Sequence, residues 1–168
     1  GMRQRVVIAL ALVNEPGLLI ADEPTTALDV TIQRQVLEII WQLARERGLS
    51  VLLITHDLSV VYQYADDIAV LYGGVLMERG ATRDVIERPR HPYTAALLSC
   101  VPRRRTGSTR QTGIDGIVPS VADWWTGCRF VDRCPRAVDA CRNDIALVAS
   151  GDRSVRCIAP LDEGARAP

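Results

Sequence analysis

The pattern of apolar and polar positions is strongest over the first ninety residues. Residues 2–13 have helical character, and Pro16-Gly17 breaks the run. The block 18–21 is wholly apolar, as expected of a short strand buried on both faces, and Asp22 and Glu23 end it. Asp29 then stands where an N-cap belongs. The pattern predicts a helix over 30–47, with Ile32, Val36, Ile39, Ile40 and Leu43 on one stripe and Gly48 as its stop. Residues 51–54 form a second apolar block, followed by Thr55-His56-Asp57 and a helix to about Ala65. Two further blocks, 68–71 and 75–77, flank Gly73-Gly74, which predicts a hairpin, and a short helix follows at 83–87.

Beyond Arg90 the pattern weakens. His91-Pro92-Tyr93 opens a short helix reaching about Cys100, and residues 103–116, beginning Arg103-Arg104-Arg105, read as a solvated polar linker. From Val118 onward four cysteines and two tryptophans replace periodicity, which predicts a separate small module. Strands alternating with helices imply an α/β fold, a parallel sheet covered by helices, with ligands at the carboxyl ends of the strands. Asp22, Glu23 and His56 occupy two such ends.

Composition narrows the picture. Of 168 residues 48% are hydrophobic and 24% charged, and the longest apolar run, 6–13, is too short to cross a bilayer. No cleavable leader pattern opens the chain, so a cytosolic address is expected, compatible with a peripheral seat on a membrane protein. Twenty basic and twenty acidic residues cancel, which gives no reason to expect nucleic acid as a partner. Every basic residue is arginine. The chain starts with Gly1 inside a helix start, whereas natural boundaries more often fall in linkers, so a piece of a longer protein is expected.

An apolar strand ending in Asp-Glu is how P-loop ATPases present their second motif. The aspartate orients Mg²⁺ and the glutamate activates the attacking water. Alone the signal is weak, because acids often follow strands as helix caps, and a histidine at a strand end is often held by backbone. Here three motifs stand in order: Gly1-Met2-Arg3-Gln4-Arg5, then Asp22-Glu23-Pro24-Thr25-Thr26-Ala27-Leu28-Asp29, then Ile54-Thr55-His56-Asp57. With spacings of about seventeen and about thirty residues, the set resembles the signature, Walker B, D-loop and H-loop of the ABC transporter ATPases.

That resemblance implies the C-terminal half of a P-loop, RecA-like ABC ATPase domain over 1–90, using ATP and Mg²⁺. Gly1 and Gln4 would belong to the signature, which grips the γ-phosphate of ATP bound by a second ATPase subunit. Asp22 would be the Mg²⁺-associated acid, Glu23 the general base, Asp29 the D-loop acid at the dimer seam and His56 the sensor of the γ-phosphate. A P-loop requires a lysine, and the chain has none, so the 168 residues alone are expected to hydrolyse ATP negligibly.

Met2, where many family members carry glutamine, and Arg88-Pro89-Arg90-His91-Pro92-Tyr93-Thr94 resemble the oligopeptide, dipeptide and nickel importer branch. Residues 91–117 would then be its His-Pro-Tyr helix and linker, with His91 and Tyr93 read as packing residues without chemistry. Such subunits work with two membrane permeases and, indirectly, a peptide-binding protein, from the inner face of the cell membrane. A soluble ABC protein acting on nucleic acid or ribosomes shares the ATPase motifs but not this extension, and a stand-alone metal module would leave the motifs as a remnant.

Cys128, Cys134, Cys141 and Cys157 are spaced C-x₅-C-x₆-C-x₁₅-C within 118–168. Disulfides are disfavoured in the cytosol, zinc lacks its usual close knuckles, a [4Fe–4S] cluster tolerates irregular spacing, and reduced unligated cysteines are also compatible. The Gly-Cys-Arg-Phe, Arg-Cys-Pro and two following cysteines resemble the extension of peptide-importer ATPases, some of which hold such a cluster, and this favours iron–sulfur over Zn²⁺. Cys100, on an apolar helix face, reads as a core residue.

Overall fold

The computed structural model describes residues 2–26, 28–101, 113–120 and 126–162. The chain divides into two compact units, Gly1–Tyr64 and Ala65–Pro168. Arg103-Arg104-Arg105 lies outside the described residues.

The first unit runs α1 (Met2–Leu12), β1 (Leu18–Asp22), α2 (Val30–Arg47), β2 (Ser50–Ile54), α3 (Leu58–Tyr64). Both ends of α2 follow from single residues. The Asp29 carboxylate accepts from the Ile32 N–H at 2.9 Å, and Gly48, at φ 63°, closes the last turn with its N–H on the Ala44 carbonyl. Arg45 and Arg47 complement the negative end of the helix dipole. Val36 and Ile40 form the core with Ile8, Leu12, Leu19 and Leu49. β1 and β2 are parallel neighbours, registered from Leu18↔Ser50 to Asp22↔Ile54. The expected parallel pairing is therefore present, and it sets the ends of the two strands side by side.

Burial on both faces is not. Leu19 and Ala21 face the core, but Leu18, Ile20, Leu52 and Ile54 are 46% to 61% exposed on the opposite side. In this unit only the Leu19 side of the sheet packs against α1 and α2, so the apolar code for a two-sided strand is half used. Full burial of each such side chain would contribute about 1.5–3 kcal/mol.

The second unit runs β3 (Asp67–Tyr72), β4 (Val75–Ala81), α4 (Thr82–Glu87), α5 (Pro92–Ser99), two 3₁₀ turns at Val131–Arg133 and Asp139–Arg142, then β5 (Val148–Ser150) and β6 (Arg153–Val155). Gly73 and Gly74, at φ 56° and 76°, give the β3–β4 hairpin the double left-handed turn that its twist requires. All pairings are antiparallel, in the order β3-β4-β6-β5. The cysteine-bearing segment was expected as a module of its own. Instead β6 pairs with β4, and Cys128, Phe130, Val131, Cys141 and Ile145 share one core with Tyr72 and Met77 of the hairpin. Three-residue strands carry too little periodicity to announce such pairing.

At the centre of this unit Glu78 is fully buried. Its carboxylate accepts from the backbone N–H groups of Arg90 and His91, both at 2.9 Å, and from Arg153 Nη2 at 2.7 Å. No helix among the described residues is long and apolar enough to cross a membrane.

Candidate functional site

The parallel register delivers Asp22 and Glu23 beside the β2 terminus, where Thr55-His56-Asp57 begins. The Glu23 N–H donates to the Ile54 carbonyl at 2.9 Å, and the Thr26 N–H donates back to the Glu23 carbonyl at 3.1 Å. This turn places Glu23 at φ 44°, a left-handed backbone that costs a non-glycine residue about 1–2 kcal/mol. The strained turn aims the side chain at His56: Glu23 Oε1 lies 2.8 Å from His56 Nδ1. Thr26 Oγ1 donates to the other carboxylate oxygen at 2.9 Å.

Both members of the pair are open to solvent. Donation from His56 and then from Thr26 holds the Glu23 carboxyl below its ordinary range. The same contact raises His56, since hydrogen bonding and attraction to Glu23 favour the imidazolium. The pair engages Nδ1 and leaves Nε2 outside it.

Asp22 ends β1 with its side chain exposed, and Gln4 is half-exposed in the first turn of α1. Asp29 is committed to capping α2. Gly1 lies outside the described residues. Asp57 is structural: its Oδ1 accepts from the Ser59 N–H at 2.9 Å and its Oδ2 from Gln33 Nε2 at 3.3 Å, which starts α3. Thr26 is the member that sequence reading passed over. Its position three residues after Glu23 is the signal, since that spacing closes a turn.

The second unit gathers the four cysteines. Cys128, Cys134, Cys141 and Cys157 are all free thiols lining one pocket, with Val131, Ile145 and Ile158 among its walls. Burial pushes the thiols of Cys128, Cys134 and Cys157 up, and the neighbouring cysteines push in the same direction. Opposing this, the backbone of Phe130, Arg136 and Ala159, each two residues downstream, favours the thiolates of Cys128, Cys134 and Cys157 respectively. Gly127 permits the closure. A Cβ there would meet the Arg142 backbone at 2.5 Å, just where the Cys128 N–H donates to the Cys141 carbonyl at 2.8 Å. Among the described residues, no three His, Cys, Asp or Glu side chains converge to hold a single ion. Cys100 stays outside this group, its thiol on the Ala96 carbonyl of α5.

His91 also lines the pocket. It caps α5 through Nδ1, which accepts from the Tyr93 N–H at 2.9 Å, with Pro92 at the first helical position. Burial lowers its pKa to about 4 against the opposing charge of Glu78. The packing role expected of His91 is therefore present, and Tyr93 stacks among Tyr72 and Phe130 at 4.6 and 5.2 Å. Its place beside the cysteines was not foreseen.

Residues 77–141 match the family described as the oligopeptide/dipeptide transporter, C-terminal region. The dipeptide transport ATP-binding protein DppD of Haemophilus influenzae is 46% identical over 164 residues, covering 97% of this chain and 50% of that protein. Over nearly its whole length the chain is similar to the ATP-binding proteins of peptide ABC transporters. A protein of Escherichia coli K12 named for D,D-dipeptide transport, DdpD, is 51% identical over 157 residues, covering 94% of this chain and 48% of its own length. The chain thus spans about half the length of the curated relatives it matches. Among solved structures, an ABC transporter assigned to the metal-chelate type, in an inward-facing conformation, aligns at TM-score 0.50 and 30% identity over 58% of this chain and 37% of that one.

Proposed function

We propose that this ABC-family chain supplies the hydrolytic half of a nucleotide site in an oligopeptide or dipeptide importer. The observation that carries the reading is the 2.8 Å contact between Glu23 and His56 at the ends of neighbouring parallel strands. Glu23, ionised at neutral pH, takes a proton from water as the water oxygen attacks the γ-phosphorus and the bond to ADP breaks. His56 orients that carboxylate through Nδ1 and offers Nε2 to the γ-phosphate. Asp22 at the strand end would hold Mg²⁺, as in a Walker B motif. Gly1 and Gln4 of the signature and Asp29 of the D-loop face a second ATPase subunit. In this reading residues 1–90 are ATPase, 91–117 a connecting helix and linker, and 118–168 an extension. The subunit sits on two permeases at the cytoplasmic face of the membrane, and a peptide-binding protein feeds them.

The four cysteines fit a metal group, and iron–sulfur better than zinc. Four thiols share one apolar-walled pocket, and the nearby backbone favours the thiolate form at three of them, the form in which cysteine ligates a metal. Their irregular spacing suits a [4Fe–4S] cluster better than the close cysteine knuckles that zinc usually takes. Cys128, Cys134, Cys141 and Cys157 would hold it. Such a group supplies a structural staple and one-electron chemistry.

A chimera tests the hydrolytic reading. Joined to the amino-terminal half of the Haemophilus influenzae relative, the chain is expected to hydrolyse ATP, whereas residues 1–168 alone are expected to show no turnover. A folded chimera that binds ATP without hydrolysing it sinks the reading.

A further inference from the structure

His91 is one of the most deeply buried polar side chains, at 1% exposure. Its two ring nitrogens have different tasks. Nδ1 accepts from the Tyr93 N–H, so in the neutral ring the proton sits on Nε2. That Nε2 is buried and makes no hydrogen bond, and His91 is among the residues that line the four-cysteine pocket. Leaving a buried donor unsatisfied costs about 1–3 kcal/mol, so the site has a reason to supply an acceptor. The Arg156 carbonyl is near enough to favour the charged ring, yet no hydrogen bond to it forms. Glu78 fixes the approach from behind, gripping the His91 N–H at 2.9 Å while Arg153 neutralises it.

We propose that His91 is a positioning residue for the metal group of the four cysteines, its Nε2–H donating a hydrogen bond to a sulfur of that group. The inference rests on the cysteine reading above and goes beyond it. It joins the His-Pro-Tyr turn to the pocket by a specific atom. A donor to sulfur stabilises the more negative, reduced state, and so raises the reduction potential.

Two substitutions separate the tasks of the ring. His91→Asn places an amide oxygen where Nδ1 was and keeps the helix cap. His91→Gln loses that cap but reaches as far as Nε2 with an N–H. The full chain is loaded anaerobically with ferrous iron and sulfide, and its midpoint potential is read by spectroelectrochemical titration. His91→Asn is expected to lower the reduced-to-oxidised ratio at fixed potential about tenfold, equivalent to about 59 mV for one electron. His91→Gln is expected to recover most of it. An Asn variant with the wild-type potential overturns the inference while leaving the cysteine reading intact. Wild-type chain that takes up no iron–sulfide group overturns both. If the variants do not fold, pulsed EPR on the reduced, ¹⁵N-histidine-labelled chain decides. The chain has two histidines, so a His56→Gln background leaves His91 alone labelled. A ¹⁵N coupling supports the hydrogen bond, and its absence overturns it.

Discussion

Arg153 Nη2 lies 2.7 Å from the carboxylate of Glu78, although 75 residues separate them, and both side chains are withdrawn from water. The same nitrogen donates to the Arg88 carbonyl at 2.7 Å, so one guanidinium ties β6 to the centre of β4 and to the turn before His91. Gly80 makes room, since a Cβ there would meet Arg153 Cγ at 2.7 Å. Removing one partner strands the other as an uncompensated buried charge. Arg153→Ala is expected to destabilise the second unit by about 3–5 kcal/mol, whereas a double replacement by apolar residues of similar volume should cost far less. Urea unfolding followed by circular dichroism checks both. Equal losses in the single and double variants would contradict the assignment.

The Glu23–His56 pair makes a signed statement about pH. His56 is raised above 6.5, so its contribution is fully present below pH 6.5 and lost as pH rises through the folded value. Glu23 is lowered below 4.5, so its share is present above pH 4.5 and lost as pH falls through the folded value. The pair is therefore intact between these limits, with a small energy because it is exposed. NMR titration of the two histidines should show His56 with the higher midpoint, returning toward 6.5 in Glu23→Gln. A His56 midpoint unmoved by that change contradicts the pairing.

Gly127→Ala is expected to open the cysteine pocket. Its new methyl meets the backbone of Cys141 and Arg142 at 2.5 to 2.6 Å, which side-chain movement cannot relieve. Overpacking of this kind costs about 1–3 kcal/mol. A thiol reagent should label the buried Cys128 and Cys141 faster in this variant than in the wild type, while Gly17→Ala, in open space, leaves the rates unchanged.

What could be read in advance depended on how locally each feature is coded. The limits of α2 were legible because Asp29 and Gly48 act within one turn. The hairpin was legible from Gly73-Gly74, and the ends of β1 and β2 from the acids and the histidine that follow them. The exposed face of Ile20 and Leu52 was not, since an apolar residue states a preference for burial but not whether a second layer is present. The β4–β6 pairing rests on two residue pairs across about 75 positions, beyond the reach of periodicity. Thr26 and His91 were visible as letters, but their partners, a carboxylate oxygen and a pocket of thiols, exist only once the chain is folded.

Single-turnover ATP hydrolysis by the chimera carrying Glu23→Gln tests the central claim most directly. The amide cannot accept the proton of the attacking water, yet it can still receive Nδ1–H of His56. ATP binding should survive, with hydrolysis slowed by a factor of about 10²–10⁴. Hydrolysis at the wild-type rate, with ATP bound equally well, would remove Glu23 from the chemistry.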